Sequence, residues 1–202
     1  MIDGVWQSVW SRIGESYGGA RYAALIAASR RFLAALARAR PDEATMIDLA
    51  DAATHWAVQL EAAAVAEPLQ PYGQRPDLAG RGQVTSAPLR VLRQGRDDID
   101  ATIVFDGFFH GSNGAAHGGA VAFAFDEAAG CLAHLAGRAT ARTVYLNTTY
   151  RAIAPIDTEL ALTGRIVREE GRKRFMHLEL RHGPHLCAEA EVLMVSLRPG
   201  QA

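Results

Sequence analysis

Lysine is nearly missing from this sequence: of its 21 basic residues, only Lys173 is not an arginine. With 22 acidic residues set against them, the formal net charge is -1. No basic block stands out, so composition gives no footing for a nucleic-acid face or a polybasic membrane anchor. Long apolar runs are missing too. None approaches the roughly 20 residues of a membrane span. Met1 to Gly19 lack the basic stretch followed by an apolar one that marks a secretory signal. Cysteine is scarce. Cys131 and Cys187 each sit in an apolar run, with no CxxC and no Cys/His ligand spacing around them. They read as two free buried thiols in a reducing compartment. The expectation is a cytoplasmic protein with no membrane and no nucleic-acid partner.

What remains is ordinary globular composition, 49% hydrophobic over 202 residues. That length fits one domain with an extra piece, and a core that needs no disulfides. Two amphipathic helices open the chain after an unassigned start. The first spans 21–39 with Leu25, Ile26, Phe32, Leu33 and Leu36 near the helical period. Pro41 and Asp42 stop it and start the second, which runs to about Ala66 with Met46, Leu49, Trp56 and Leu60 on its stripe. Such helices need a partner surface, which the main domain or a second subunit can supply. Pro68, Pro71, Gly73, Pro76, Gly80 and Gly82 make 67–87 a linker. Residues 1–87 are therefore expected to be a helical extension with its linker, and 88–202 the main domain.

From Leu89 onward the pattern changes to strands. Leu89–Leu92, Ile99–Phe105, Leu146–Ile153 (beginning earlier, near Arg142), Glu159–Val167, Arg174–Arg181 and Leu186–Leu197 are expected, joined by short turns that favour antiparallel pairing. One helix, Gly119 to about Ala136, interrupts them. The order predicts an α+β fold with an antiparallel sheet.

That helix is apolar almost all round, as a buried helix is, yet Asp126 and Glu127 break it near the middle. A buried carboxylate without a partner is costly. Such groups sit at interfaces, in ion pairs or in active sites. A structural ion pair of Asp126 with Arg142 or Arg151 is the plain alternative. Ahead of the helix runs a glycine-rich loop, His110-Gly111-Ser112-Asn113-Gly114-Ala115-Ala116-His117-Gly118-Gly119. The first amides of a helix lack internal partners, and with the helix dipole they can hold an oxyanion. An oxyanion donor and a nearby carboxylate are the layout of acyl-transfer hydrolysis.

His117-Gly118-Gly119, then Asp126-Glu127 and Gly130, resembles the HGG…D/E…G segment of hotdog-fold thioesterases of the phenylacetate-degradation and THEM type. Leu146-Asn147-Thr148-Thr149-Tyr150 with Pro155, the Gly171-Arg172 hairpin and Ala188-Glu189-Ala190-Glu191 resemble its later strands, so the resemblance covers about 88–198. It implies a sheet wrapped round the central helix, and a homodimer or dimer of dimers with sites at the subunit interface. It implies acyl-CoA as substrate, with CoA part of the substrate and no cofactor. On this sequence Asp126 falls as general base or nucleophile, Gly119 N–H as oxyanion donor, Thr143 as the residue that orients water, and His117 as a positioning residue. Asn113 and Gly118 fall at the substrate. Arg172 and Lys173 are candidates for CoA phosphates, or else a solvated hairpin tip.

His110, His117 and Asp126 do not have the spacing of a zinc site, so no metal is expected. His134 is read as a core or interface residue. His177, His182 and His185 are read as edge or turn residues. Glu127 points about 100° from Asp126 on a helix, so only one of the two faces the site, and Glu127 is left to pair with an arginine or cap a loop amide. Two rival readings stay open: a hotdog acyl-CoA hydratase or dehydratase, and a non-catalytic acyl-CoA-binding protein.

Overall fold

A computed structural model describes residues 19–198 and Gly200. The unassigned first 18 residues lie outside the described part. Helices α1 (Gly19–Leu36) and α2 (Glu43–Ala62) come first. The linker follows, then strands β1 (Arg90–Gln94) and β2 (Asp98–Val104), the central helix α3 (Gly118–Ala133), and β3 (Ala141–Tyr150), β4 (Glu159–Glu170), β5 (Lys173–His182) and β6 (His185–Ser196). The six strands form one sheet in the order β1-β2-β4-β5-β6-β3, every neighbour antiparallel. The expected α+β class is what the chain adopts.

Alternation of buried with more exposed residues over 159–165 of β4 and through β5 gives the sheet one apolar face. Leu160, Leu162, Leu178 and Leu180 on that face are fully buried against Phe125 and Leu132 of α3. Each such side chain contributes roughly 1.5–3 kcal/mol on burial. Gly164 lets helix and sheet close up: a Cβ there would lie 3.3–3.4 Å from Ile99, Leu178 and Leu132. At the far end of α3 the buried Arg174 donates to the carbonyl of Ala133 (2.7 Å), which the helix leaves unpaired, and to that of Ala139 (2.9 Å) in the segment before β3.

The ends of several elements differ from expectation. The central helix stops at Ala133, because Ala136 adopts φ +56 and the chain turns there. β3 begins at Ala141, five residues before the first strong apolar pattern, since its exposed edge carries Arg142 and Thr143. α2 ends at Ala62.

The two N-terminal helices behave differently. α1 buries Ile26 and is tied to the linker by polar bonds. Tyr22 Oη donates to Gly82 O (3.0 Å) and Arg30 to Gln83 O and to Ser86 O (2.7 Å); just past α1, Arg38 pairs with Asp157 between β3 and β4. α2 is capped by Asp42, which accepts from Thr45 N–H (2.8 Å), but buries no residue at all. Trp56 is 52% exposed and Leu60 63%. Phe32 and Trp56 meet edge to face with ring centroids 6.4 Å apart. No described helix is long and apolar enough to cross a membrane.

Candidate active site

The loop before α3 is shaped by its own hydrogen bonds. Gly111 N–H donates to Ala115 O (2.9 Å), His117 N–H to Phe109 O (2.7 Å) and Ala116 N–H to Ala154 O (2.8 Å). Asn113 (φ +50) and Gly114 (φ +73) are both left-handed and form the exposed tip. Asparagine and glycine are the residues that tolerate this backbone. His110 Nε2 accepts from Gly114 N–H (3.3 Å), so this histidine serves the loop.

His117 is the N-cap of α3. Its Nδ1 accepts from Gly119 N–H at 3.0 Å. The amide expected to hold an oxyanion is thus engaged by its own cap. Gly118 N–H has no acceptor among the described residues, and it occupies the first helical position, where no intrahelical partner exists. Tyr150 Oη donates to Gly118 O at 2.7 Å. That contact, unforeseen in the sequence, ties β3 to the start of α3. A Cβ at Gly118 would meet the Tyr150 hydroxyl at 3.2 Å.

Two turns on, Thr143 Oγ1 donates to Asp126 Oδ1 at 2.8 Å. The register of β3 shifts just past Thr143, where Val144 bulges out of the pairing with β6. Bulges re-aim the side chains beside them. Asp126 is half-buried, and Thr143 is exposed on the open edge of the sheet.

Glu127 goes the other way. It is buried, and both its oxygens accept from Arg81, Oε2 from Nε (2.8 Å) and Oε1 from Nη2 (2.5 Å). Arg81 belongs to the linker. So of the two carboxylates, Asp126 faces the β3 edge and Glu127 the linker in front of β1. A cavity of about 500 Å³ adjoins Glu127, lined by Leu78, Arg81, Leu89, Val91 and Gln94; it lies on this second flank and not beside Asp126.

The other sequence candidates are dispersed. Arg172 donates to Ser196 O (2.8 Å), and Lys173 opens β5 beyond the turn at Gly171. Lys173 pairs with Val195, and Thr143 with Met194, so the hairpin tip lies at the same end of the sheet as Thr143. That separation is two strands, about 10 Å. His134 bonds Gly130 O (2.6 Å), and burial holds its pKa below the usual histidine value. Burial, with Glu127 adding to it, pushes the Cys131 thiol up to about 11, which leaves it no nucleophile at neutral pH. Among the described residues no three His, Cys, Asp or Glu side chains cluster as metal ligands.

Residues 113–192 match the model of the thioesterase superfamily. No curated protein matches the chain. Among solved structures, a crystal structure of a thioesterase superfamily protein superimposes with a TM-score of 0.74 at 23% identity, over 86% of this chain and 94% of its own. A Streptococcus mutans protein bound to acetyl CoA aligns with a TM-score of 0.51 at 16% identity, over 54% of this chain and 88% of its own. An Asp52Ala mutant of a hypothetical thioesterase from Streptococcus pneumoniae gives 0.51 at 16%, over 54% and 89%. These likenesses show the fold, in which the sheet wraps the central helix as the hotdog resemblance implies.

Proposed function

Taking residues 113–192 as a thioesterase-superfamily segment set in a hotdog fold, we propose that this protein hydrolyses an acyl-CoA thioester to the free acid and CoA. The observation that carries the reading is the Thr143–Asp126 hydrogen bond on the open flank of α3, which orients a carboxylate beside the uncovered edge of the sheet. That the Streptococcus mutans neighbour was crystallised with acetyl CoA supports the CoA thioester as substrate class. Asp126 acts as general base or nucleophile, and Thr143 holds the attacking water. Arg172 and Lys173 reach for the CoA phosphates, and Asn113 at the loop tip meets the substrate. No cofactor takes part.

The oxyanion donor comes from the first turn of α3. Gly118 N–H is available as it stands, and Gly119 N–H joins it once the His117 ring swings off. One chain does not complete the site. Gly119 and Asp126 are seven residues apart, about 10 Å along the helix axis, whereas one carbonyl must lie within about 3 Å of both donor and carboxylate. The reading therefore pairs two copies through β3, so that the helix start of one faces Asp126 of the other in a homodimer.

The test is thiol release across short, long and aryl acyl-CoAs by wild type, Asp126→Asn and Gly118→Pro. Proline is tolerated at the first helical position and removes the amide hydrogen; Gly118→Ala, which keeps that hydrogen, controls for the Cβ contact with Tyr150. Asp126→Asn and Gly118→Pro should each be inactive alone, and co-expressed mixtures should regain activity in the mixed dimers. Enoyl absorbance without thiol release would point to a hydratase. Tight acyl-CoA binding without turnover would point to a binding protein.

A further inference from the structure

The linker carries three consecutive left-handed residues, Gly80 (φ +61), Arg81 (φ +55) and Gly82 (φ +72). The two glycines are also sterically fixed. A Cβ at Gly80 would come within 2.7 Å of Arg30 Nη2 and 3.2 Å of Ser86 O, and one at Gly82 within 3.1 Å of the Tyr22 ring. An arginine between them has no backbone reason to be there, since only glycine and the short polar residues adopt this conformation readily. Its side chain supplies the reason. It makes the bidentate pair with buried Glu127 and donates to Gly73 O at 2.9 Å. Tyr22 and Arg30 of α1 bind the same loop, at Gly82 O and Ser86 O. A continuous run of polar contacts thus leads from α1 through Arg81 to the residue next to Asp126.

We infer that Arg81 is a positioning residue for Asp126: by gripping Glu127 it holds α3 in the rotation that turns Asp126 to Thr143, and it cancels the charge of the adjacent carboxylate. This rests on Asp126 being the base. On a helix, pulling residue 127 toward the linker sets residue 126 about 100° round, toward β3. A like charge next to a base favours its protonated form, and an unmatched cation favours the ionised one. The strands under α3 present mostly apolar side chains, apart from Arg174, which serves the helix C-terminus. The remaining ionisable neighbours are Glu127 and Cys131 on α3, His117 and His134 at its two ends, and Arg142 on β3, whose charge reaches His134.

The experiment follows the Asp126 carboxyl by carbon NMR titration in the full chain, alongside the pH profile of kcat/KM. The proteins are wild type, Arg81→Gln, Glu127→Gln and the double variant. Arg81→Gln, which leaves a like charge beside Asp126, should raise its midpoint and the acid limb, and lower kcat about tenfold with KM little changed. Glu127→Gln should move the midpoint down. The double variant leaves neither charge of this pair without the other, so it stays folded; its midpoint returns to the wild-type value while kcat stays low, because the grip is gone. A midpoint that is the same in all four proteins overturns the inference, as does a kcat loss that merely tracks the folded fraction by circular dichroism. Failure of the base itself is distinct: Asp126→Asn would then hydrolyse normally, and the NMR titration would still report on Arg81.

Discussion

Asp126 and Glu127 are neighbours in one helix and yet meet opposite surroundings. Glu127 is buried with both oxygens bonded to an arginine, while Asp126 is half-buried, with a threonine hydroxyl on one oxygen beside an unpaired strand edge. A fully satisfied buried ion pair has no spare capacity for a reacting group. A carboxylate with one lone-pair set oriented and another open can take a proton. The difference teaches that environment, and not residue type, leaves one carboxylate spent in an ion pair and the other open to a further partner.

The comparison is broken most severely at Asp126. Asp126→Asn should lower kcat at least about a hundredfold with little change in thermal stability, measured by thiol release and by melting. Glu127→Ala should act mainly on stability, with a kcat loss no larger than that of Arg81→Gln. Removing the carboxylate of a buried pair costs about 3 kcal/mol, visible as a lower denaturation midpoint in urea. Thr143→Val should lower kcat about tenfold, since it removes the hydroxyl that orients Asp126 and leaves volume unchanged; an unchanged kcat would detach Thr143 from the chemistry.

A smaller effect concerns pH. Burial depresses the pKa of His134, so its contribution to stability is complete above the unfolded value of about 6.5. It is lost as pH falls below that value toward the folded one. Urea midpoints of wild type and His134→Gln should converge as pH falls through that window. The smallest effect belongs to Trp56→Ala on α2. With the ring half exposed, dilute protein should lose less than about 0.5 kcal/mol.

Much of this was legible in the residues. Period-2 alternation marked the long strands, and an apolar helix broken by two acids marked the centre of the fold. The resemblance singled out Thr143 and Asp126 separately, but their hydrogen bond, and the bulge at Val144 that accompanies it, have no sequence signature. Three further contacts were not legible. The partner of Glu127 lies 46 residues upstream, in a linker read only from its prolines and glycines. Gly80-Arg81-Gly82 was a possible signal, since glycines on both sides of a charged residue hint at a special backbone there. Tyr150 reaching Gly118 O and Arg174 capping α3 are long-range side-chain contacts, which no local pattern encodes.

α2 has a consequence of another kind. A helix of 20 residues with a proper cap and no buried side chain takes almost nothing from the rest of its chain, and an isolated helix of that length is marginal in water. Its amides should therefore exchange hydrogen with solvent on local terms, much faster than those of β5 or β6, which open only when the sheet does. In dilute protein the exchange record should split into two populations, a slow sheet and a fast α2. Any protection that α2 gains as protein concentration rises measures the free energy of whatever covers its Trp56 and Leu60 face.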